Sequence, residues 1–403
     1  MNRVSHQLMK TWGELGPRFL PFADVATPDL PLSRLLRLSL IQVSVGMSLV
    51  LLVGTLNRVM IVELGVPASV VAVMISLPVL FAPLRAFIGY RSDTYKCVLG
   101  WKRVPYLFRG TMIQFGGLAI MPFALLVLSG AGHSAEAPAW IGYAAAALAF
   151  LLVGAGVHTT QTVGLALATD LTEPEARPNV VGLMYVMLLA GSIVSAIVFG
   201  MLLENFSHGR LIQVIQGSAV VTILLNGIAL WKQEARRRPA PGEEEEPEPG
   251  FQEAWESYAG GDQAVRRLVI IGFGTMAFSM QDVLLEPYGG EVLLMSVAET
   301  TKLTAMLAGG GLFGFALASY VLSRGADPYR MAIYGVSAGM GRRAGHGGRL
   351  GRCSWRCVPR SWLRICPEGG LRGGGRLQLC LFDRDHLARS GACGNATAVA
   401  PCR

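Results

Sequence analysis

Long apolar runs alternate with short polar connections along the chain. A run of about 20 apolar residues, wound as helix, crosses the hydrocarbon core of a bilayer. Eight such runs stand out, over 40–62, 68–90, 104–128, 139–163, 178–203, 211–231, 266–285 and 302–322, numbered here as spans 1 to 8. A ninth opens with MAIYGVSAGM at 331–340 and then stops. Between spans 2 and 3, IGYRSDTYKCVLGWKRVPY (88–106) crowds Arg91, Asp93, Lys96, Lys102 and Arg103 into one polar island. A soluble protein spreads such charges over its helix faces. The pattern predicts an all-α polytopic membrane protein.

The connections also alternate in charge. Those after spans 2, 4, 6 and 8 carry the basic residues, among them Lys102, Arg103, Arg177, Lys232, Arg266, Arg324 and Arg330. Those after spans 1, 3, 5 and 7 hold only Arg210 and Lys302. By the positive-inside rule, the even connections and the N-terminus are expected to be cytoplasmic. The longest connection contains PAPGEEEEPEPG, a composition that cannot bury a core and reads as a flexible linker. Six spans, a cytoplasmic linker and further spans is the layout of a transporter fold built from two six-helix halves. The expected organisation is a lead-in at 1–35, a first half at 36–231, an acidic linker at 232–265, a partial second half at 266–340 and a tail at 341–403.

Composition supports this picture and corrects one impression. The 403 residues are 52% hydrophobic and 15% charged, whereas a soluble chain is about a quarter charged. The first 30 residues lack the apolar core and small-residue cleavage site of a signal peptide, and read as a lead-in on the membrane surface. The net charge of +8 hints at nucleic acid, but residues 341–403 alone contribute 12 Arg, no Lys and 3 acidic residues. No nucleic-acid partner is expected. Six of the seven cysteines (Cys353, Cys357, Cys366, Cys380, Cys393 and Cys402) lie in that tail, so the body, with Cys97 alone, has no disulfide framework. Arg, Gly, Cys and Trp without Lys are what GC-rich codons yield out of frame. A frameshift near 340 that replaces spans 9–12 is the expectation. Zinc on Cys353, Cys357 and Cys366 is the rival, and metal ligation is not expected because paired zinc ligands are spaced more tightly.

Gly89, three residues, Asp93, and then the basic pair Lys102 and Arg103 resemble the 2–3 loop motif of the major facilitator superfamily. Two departures stand: Thr94 occupies an expected basic position, and the stretch before Lys102 is longer. The resemblance implies a latch, in which Gly89 lets helices approach and Asp93 caps a helix N-terminus or pairs with an arginine. A bare topology signal is the alternative. SRGADPYR (323–330) is a weaker echo in the 8–9 connection.

Longer stretches point to a narrower group: LNRVMIVELGVPA (56–68), APLRAFIGYRSD (82–93), LGWKRVPY (99–106), HTTQTVGLALATDLTEPEARPNVVGLMYVML (158–188) and QDVLLEPYGGEVL (281–293). Together they resemble the PucC/LhaA family of purple phototrophic bacteria, the bacteriochlorophyll-delivery branch of the major facilitators, over about 1–340. The resemblance implies a multi-pass protein of the bacterial inner (intracytoplasmic) membrane. Its implied role is to hand bacteriochlorophyll, or a late precursor, to light-harvesting α and β polypeptides. A proton-coupled small-solute transporter of the same fold is the alternative.

Polar groups inside spans are costly and mark candidate sites. His158 lies within span 4, with Gln161 at i+3 on nearly the same face. A neutral imidazole can supply the axial ligand that a magnesium tetrapyrrole lacks. His6, His133 and His208 fall outside the spans, so His158 is the pigment-ligand candidate and Gln161 a neighbour suited to interhelical bonding. A packing histidine is the alternative. The small residues Gly154, Ala155 and Gly156 either let helices pack closely or leave room for the ring. Gln281, Asp282 and Glu286 cluster in span 7, and the two carboxylates at i,i+4 share a face, as a lining, proton relay or cation site. Arg58 with Glu63, and Arg85, are expected to snorkel or pair between helices. Asp170 and Arg177 flank the 4–5 turn as a gate-side hinge, with a bare topology signal as the alternative. The body shows no nucleophile elbow, zinc motif or dinucleotide fingerprint, and GGG at 309–311 has no following Lys-Ser/Thr. An enzyme is not expected.

Overall fold

The structure is a computed structural model that describes residues 32–95, 101–130, 138–234, 250–261 and 263–346. Readings on the lead-in before residue 32 with His6, on Lys96, Cys97, His133, the linker's Glu run, and the tail from 347 with its six cysteines lie outside the described residues. Among the described residues every regular element is a helix. Eight are long and apolar enough to cross a membrane: Leu32–Glu63, Ala68–Asp93, Val104–Leu128, Ala139–Asp170, Arg177–Leu202, His208–Leu230, Ala264–Glu291 and Val297–Leu322. These are spans 1 to 8 in order. The chain is a polytopic helical membrane protein.

Span 1 starts at Leu32 rather than at 40, because LSRLLRL already buries Leu35 and Leu38 while Arg34 turns to Gln233 beyond span 6. Its later part winds wide, as π-helix over Val50–Leu56 and Val59–Glu63. Span 4 runs on to Asp170 rather than ending at 163. Its threonines do not break it, since Thr159 and Thr160 return their hydroxyls to the carbonyls of Ala155 and Gly156 at 2.8 and 2.9 Å. Span 2 is two helices, Ala68–Leu80 and Leu84–Asp93. Pro78 and Pro83 each remove a backbone donor, and the chain closes the gap with tight bonds from Phe81 to Pro78 and from Ala82 to Val79.

The core lies where spans 1, 3 and 4 meet, around Leu51, Leu56, Leu118, Met121, Phe150 and Val153. Spans 3 and 4 touch backbone to backbone: a Cβ on Gly117 would sit 2.6 Å from the Val153 nitrogen, and one on Gly156 would sit 2.6 Å from the Gln114 Cα. Polar ties reinforce the apolar contacts. Ser44 donates to Asn226 at 2.7 Å and Asn226 donates to Thr111 at 3.0 Å, which joins spans 1, 6 and 3. Gln114 donates to Ser48 at 2.7 Å. Such bonds hold helices together where lipid supplies no hydrophobic drive.

Spans 7 and 8 expose long apolar faces, including Ile270, Ile271, Phe273, Met276, Met280 and Phe313. Within the linker, Phe251–Ala259 is a helix, and the Phe251 ring meets Phe87 and Tyr90 of span 2 edge-on at 6.0 and 5.5 Å. Residues from Val321 form a second compact unit. In it the ninth apolar run becomes a helix over Pro328–His346, longer than the ten apolar residues alone. Asp327 accepts the Tyr329 N–H at 2.8 Å at its start.

Candidate functional site

The polar island after span 2 folds into an ion knot. Arg103, 8% exposed, enters just before span 3. Its guanidinium pairs with Asp93 of span 2 and with Asp170 of span 4, the latter at 2.8 Å, and donates to Ser92 at 2.8 Å. Asp93 therefore pairs with arginine, one of the two roles the motif implies. The capping carboxylate is Glu234, which accepts the backbone N–H groups of Lys102 at 2.8 Å, Arg103 at 3.1 Å and Val104 at 2.9 Å. Three orphan donors and the positive end of span 3 are satisfied at once. Gly89 is not a forced close approach, since a Cβ there would meet Thr162 at an ordinary 3.8 Å. Arg177 stands exposed at the start of span 5, apart from Asp170. We expect Glu234→Ala to cost about 1–2 kcal/mol by uncapping span 3. Thermal unfolding in detergent measures it, and Glu234→Gln recovers part.

A second cluster lies between spans 2 and 4. Arg85 opens the second piece of span 2 and donates to Thr162 at 2.9 Å and to Gln161 at 3.0 Å. It crosses to span 4 rather than snorkelling, and Gln161 serves it as an interhelical acceptor. His158 is half-buried one turn earlier on span 4, beside the backbone of Pro78. Its ring lies beside the Pro78 carbonyl, and its Nδ1 is buried with no hydrogen bond of normal geometry. An imidazole nitrogen is the type of donor that a tetrapyrrole magnesium accepts. The flanking glycines provide no cradle, because a Cβ on Gly154 would run into Pro78 and one on Gly156 into Gln114. Those small residues serve close packing between helices.

The third cluster joins span 1 to spans 7 and 8. Arg58, 3% exposed, is buried rather than snorkelled; it donates to Glu63 at 2.7 Å and to the Met295 carbonyl at 2.9 Å. Asn57 donates to the Val283 carbonyl at 2.6 Å. Glu286, fully buried, lies against Gly54 in the wide part of span 1 and accepts from Thr304 of span 8. Its second oxygen, the Thr55 hydroxyl and the Arg58 Nε have no hydrogen-bond partner. Asp282 and Gln281 are exposed. The two carboxylates do not form one site, because span 7 turns only its last residues inward. Ser92, Glu234 and Thr304 carried no motif signal; each works through a partner far along the chain or on another span. No group of three or more His, Cys, Asp or Glu suited to a metal ion occurs among the described residues.

The stretches that build these clusters recur in known proteins. A family model described as PUCC protein matches residues 55–343. The chain belongs to the PucC family. Protein PucC of Rhodovulum sulfidophilum is 64% identical over 342 residues, which is 84% of this chain and 75% of the relative. Protein PucC of Cereibacter sphaeroides is 59% identical over 340 residues, 84% of this chain and 73% of that protein. A more distant relative, the bacteriochlorophyll synthase 44.5 kDa chain of Rhodobacter capsulatus, is 30% identical over 302 residues, 72% of this chain and 64% of that one. No solved structure gives a significant match. All three clusters fall within the PucC match, which ends close to where the composition changes.

Proposed function

We propose that this PucC-family chain is a non-enzymatic assembly factor, which holds bacteriochlorophyll or a late precursor and hands it to light-harvesting α and β polypeptides. Its place is the bacterial inner membrane with the N-terminus in the cytoplasm, as the basic even-numbered connections favour. The observation that carries the reading is the unpartnered Nδ1 of His158 within a span. A relative named for bacteriochlorophyll synthase supports the pigment class. The magnesium of the cargo takes the histidine nitrogen, while the surrounding helices keep the pigment out of water.

His158→Phe keeps bulk and apolarity but removes the nitrogen. The variant is expected to insert normally and to co-purify with several-fold less pigment, read from near-infrared absorbance. Full pigment with an unshifted band in the variant would overturn the role of His158. Deleting the gene should lower the antenna bands of whole cells; unchanged antennae would sink the assembly reading itself. The buried carboxylate of Glu286 favours a second reading, a proton-coupled small-solute transporter. Colourless protein that drives proton-coupled uptake into vesicles would decide for it.

A further inference from the structure

Of the three arginines in the clusters above, Arg85 alone holds no carboxylate. Arg58 and Arg103 each hold a carboxylate, on Glu63 and on Asp93 and Asp170. Arg85 lies within span 2, and among the described residues no carboxylate is within ion-pairing distance of it. Its partners are two neutral side chains, Gln161 and Thr162. A guanidinium offers five N–H donors, so most remain available. A cation within a span that meets only neutral side chains is costly, and ionisable groups there are candidates for binding sites.

The surroundings add to the same sign. Arg85 lies in the first turn of the ten-residue helix Leu84–Asp93, whose N-terminus the Pro83 break exposes inside the span. Half-helix N-termini within membranes favour anionic groups. His158 lies four residues before Thr162, on the face of span 4 that Arg85 reaches. One face thus offers a lone-pair nitrogen for a metal and a cation for an oxyanion.

We propose that Arg85 binds the carboxylate of an amphiphilic ligand while His158 ligates its metal. The preferred cargo is then a magnesium tetrapyrrole with a free carboxylate, rather than its long-chain ester. This rests on the pigment reading above and names the form of pigment the site selects. The phosphate of an anionic lipid presents the same chemistry to a guanidinium, and the test separates the two.

The full chain, purified into nanodiscs of phosphatidylcholine, is titrated with chlorophyllide and with its methyl ester, which differ only in that charge. Binding is followed by absorbance and fluorescence. The acid is expected to bind about tenfold more tightly, the scale of one hydrogen bond to a charged group. Arg85→Gln should erase that preference, and Arg85→Lys should keep part of it. Equal binding of acid and ester by the unaltered chain overturns the proposal and spares the pigment reading. Binding of neither compound overturns the pigment reading itself. A preference that survives Arg85→Gln places the anion elsewhere and also overturns it. Loss of the preference in phosphatidylglycerol nanodiscs assigns Arg85 to lipid phosphate instead. Should Arg85→Gln fail to elute as a single folded species, the acid–ester comparison on the unaltered chain decides alone.

Discussion

Arg103→Ala should lower stability by about 2–4 kcal/mol, the scale of removing one partner from a buried ion pair. The guanidinium is 8% exposed and joins Ser92 and Asp93 of span 2 to Asp170 of span 4. Without it two carboxylates face one another across the junction and the Ser92 hydroxyl loses its donor. Their side chains are 53% and 52% exposed, so water relieves part of the repulsion and keeps the loss below that of a wholly buried triad. Asp93→Asn and Asp170→Asn should each cost about 1 kcal/mol or less for the same reason. Arg103→Lys should recover less than half, since one ammonium cannot reproduce a planar fork that meets two carboxylates. The measurement is the fraction of monodisperse protein left after heating in detergent. If Arg103→Ala survives heating as the unaltered chain does, the knot holds nothing together.

Gly156→Leu should prevent the six-span core from assembling. The position faces the Gln114 backbone of span 3, and one turn down the same seam Gly117 faces the Val153 backbone. Overpacking costs about 1–3 kcal/mol where side chains can yield. Here the obstacle is main chain, so the helices must part and give up the contacts of Leu118, Met121, Phe150 and Val153 together. The expected outcome is a large loss of membrane-inserted, detergent-stable protein. Gly116→Leu is the control, because a Cβ there meets nothing within 4 Å. Similar yields for the two variants would refute the tight seam.

These two variants also mark what the chain of letters can and cannot reveal. The eight spans are legible because twenty apolar residues in a row have one stable fate in lipid. The start of span 1 was hidden by Arg34 and Arg37, since a polar residue inside a run looks like its end until its partner is known. Arg34 finds Gln233, 199 residues away. The charges of the knot were legible as a cluster, but their wiring was not. Asp93 is legible as a candidate cap, but Glu234 is not, because its place at the head of span 3 turns on where span 6 ends. Glycine near His158 was ambiguous for a similar reason. A missing side chain makes room, and only the fold shows that Pro78 and Gln114 fill it. Arg58 and Arg85 look alike as ends of spans, yet one meets a carboxylate and the other two neutral groups.

The exit from span 6 has a mechanical consequence. Lys232 adopts a left-handed backbone, φ 54°, that turns the chain back after Leu230. Gln233 then exchanges hydrogen bonds with Arg34, and Glu234 grips the three N–H groups at the head of span 3. At Glu234 the chain is made fast like a rope on a cleat. Tension arriving through residue 235 is taken up by the roots of spans 1 and 3, in shear across several bonds at once. The last turn of span 6 is spared the one-bond-at-a-time peeling by which an untethered helix end unravels.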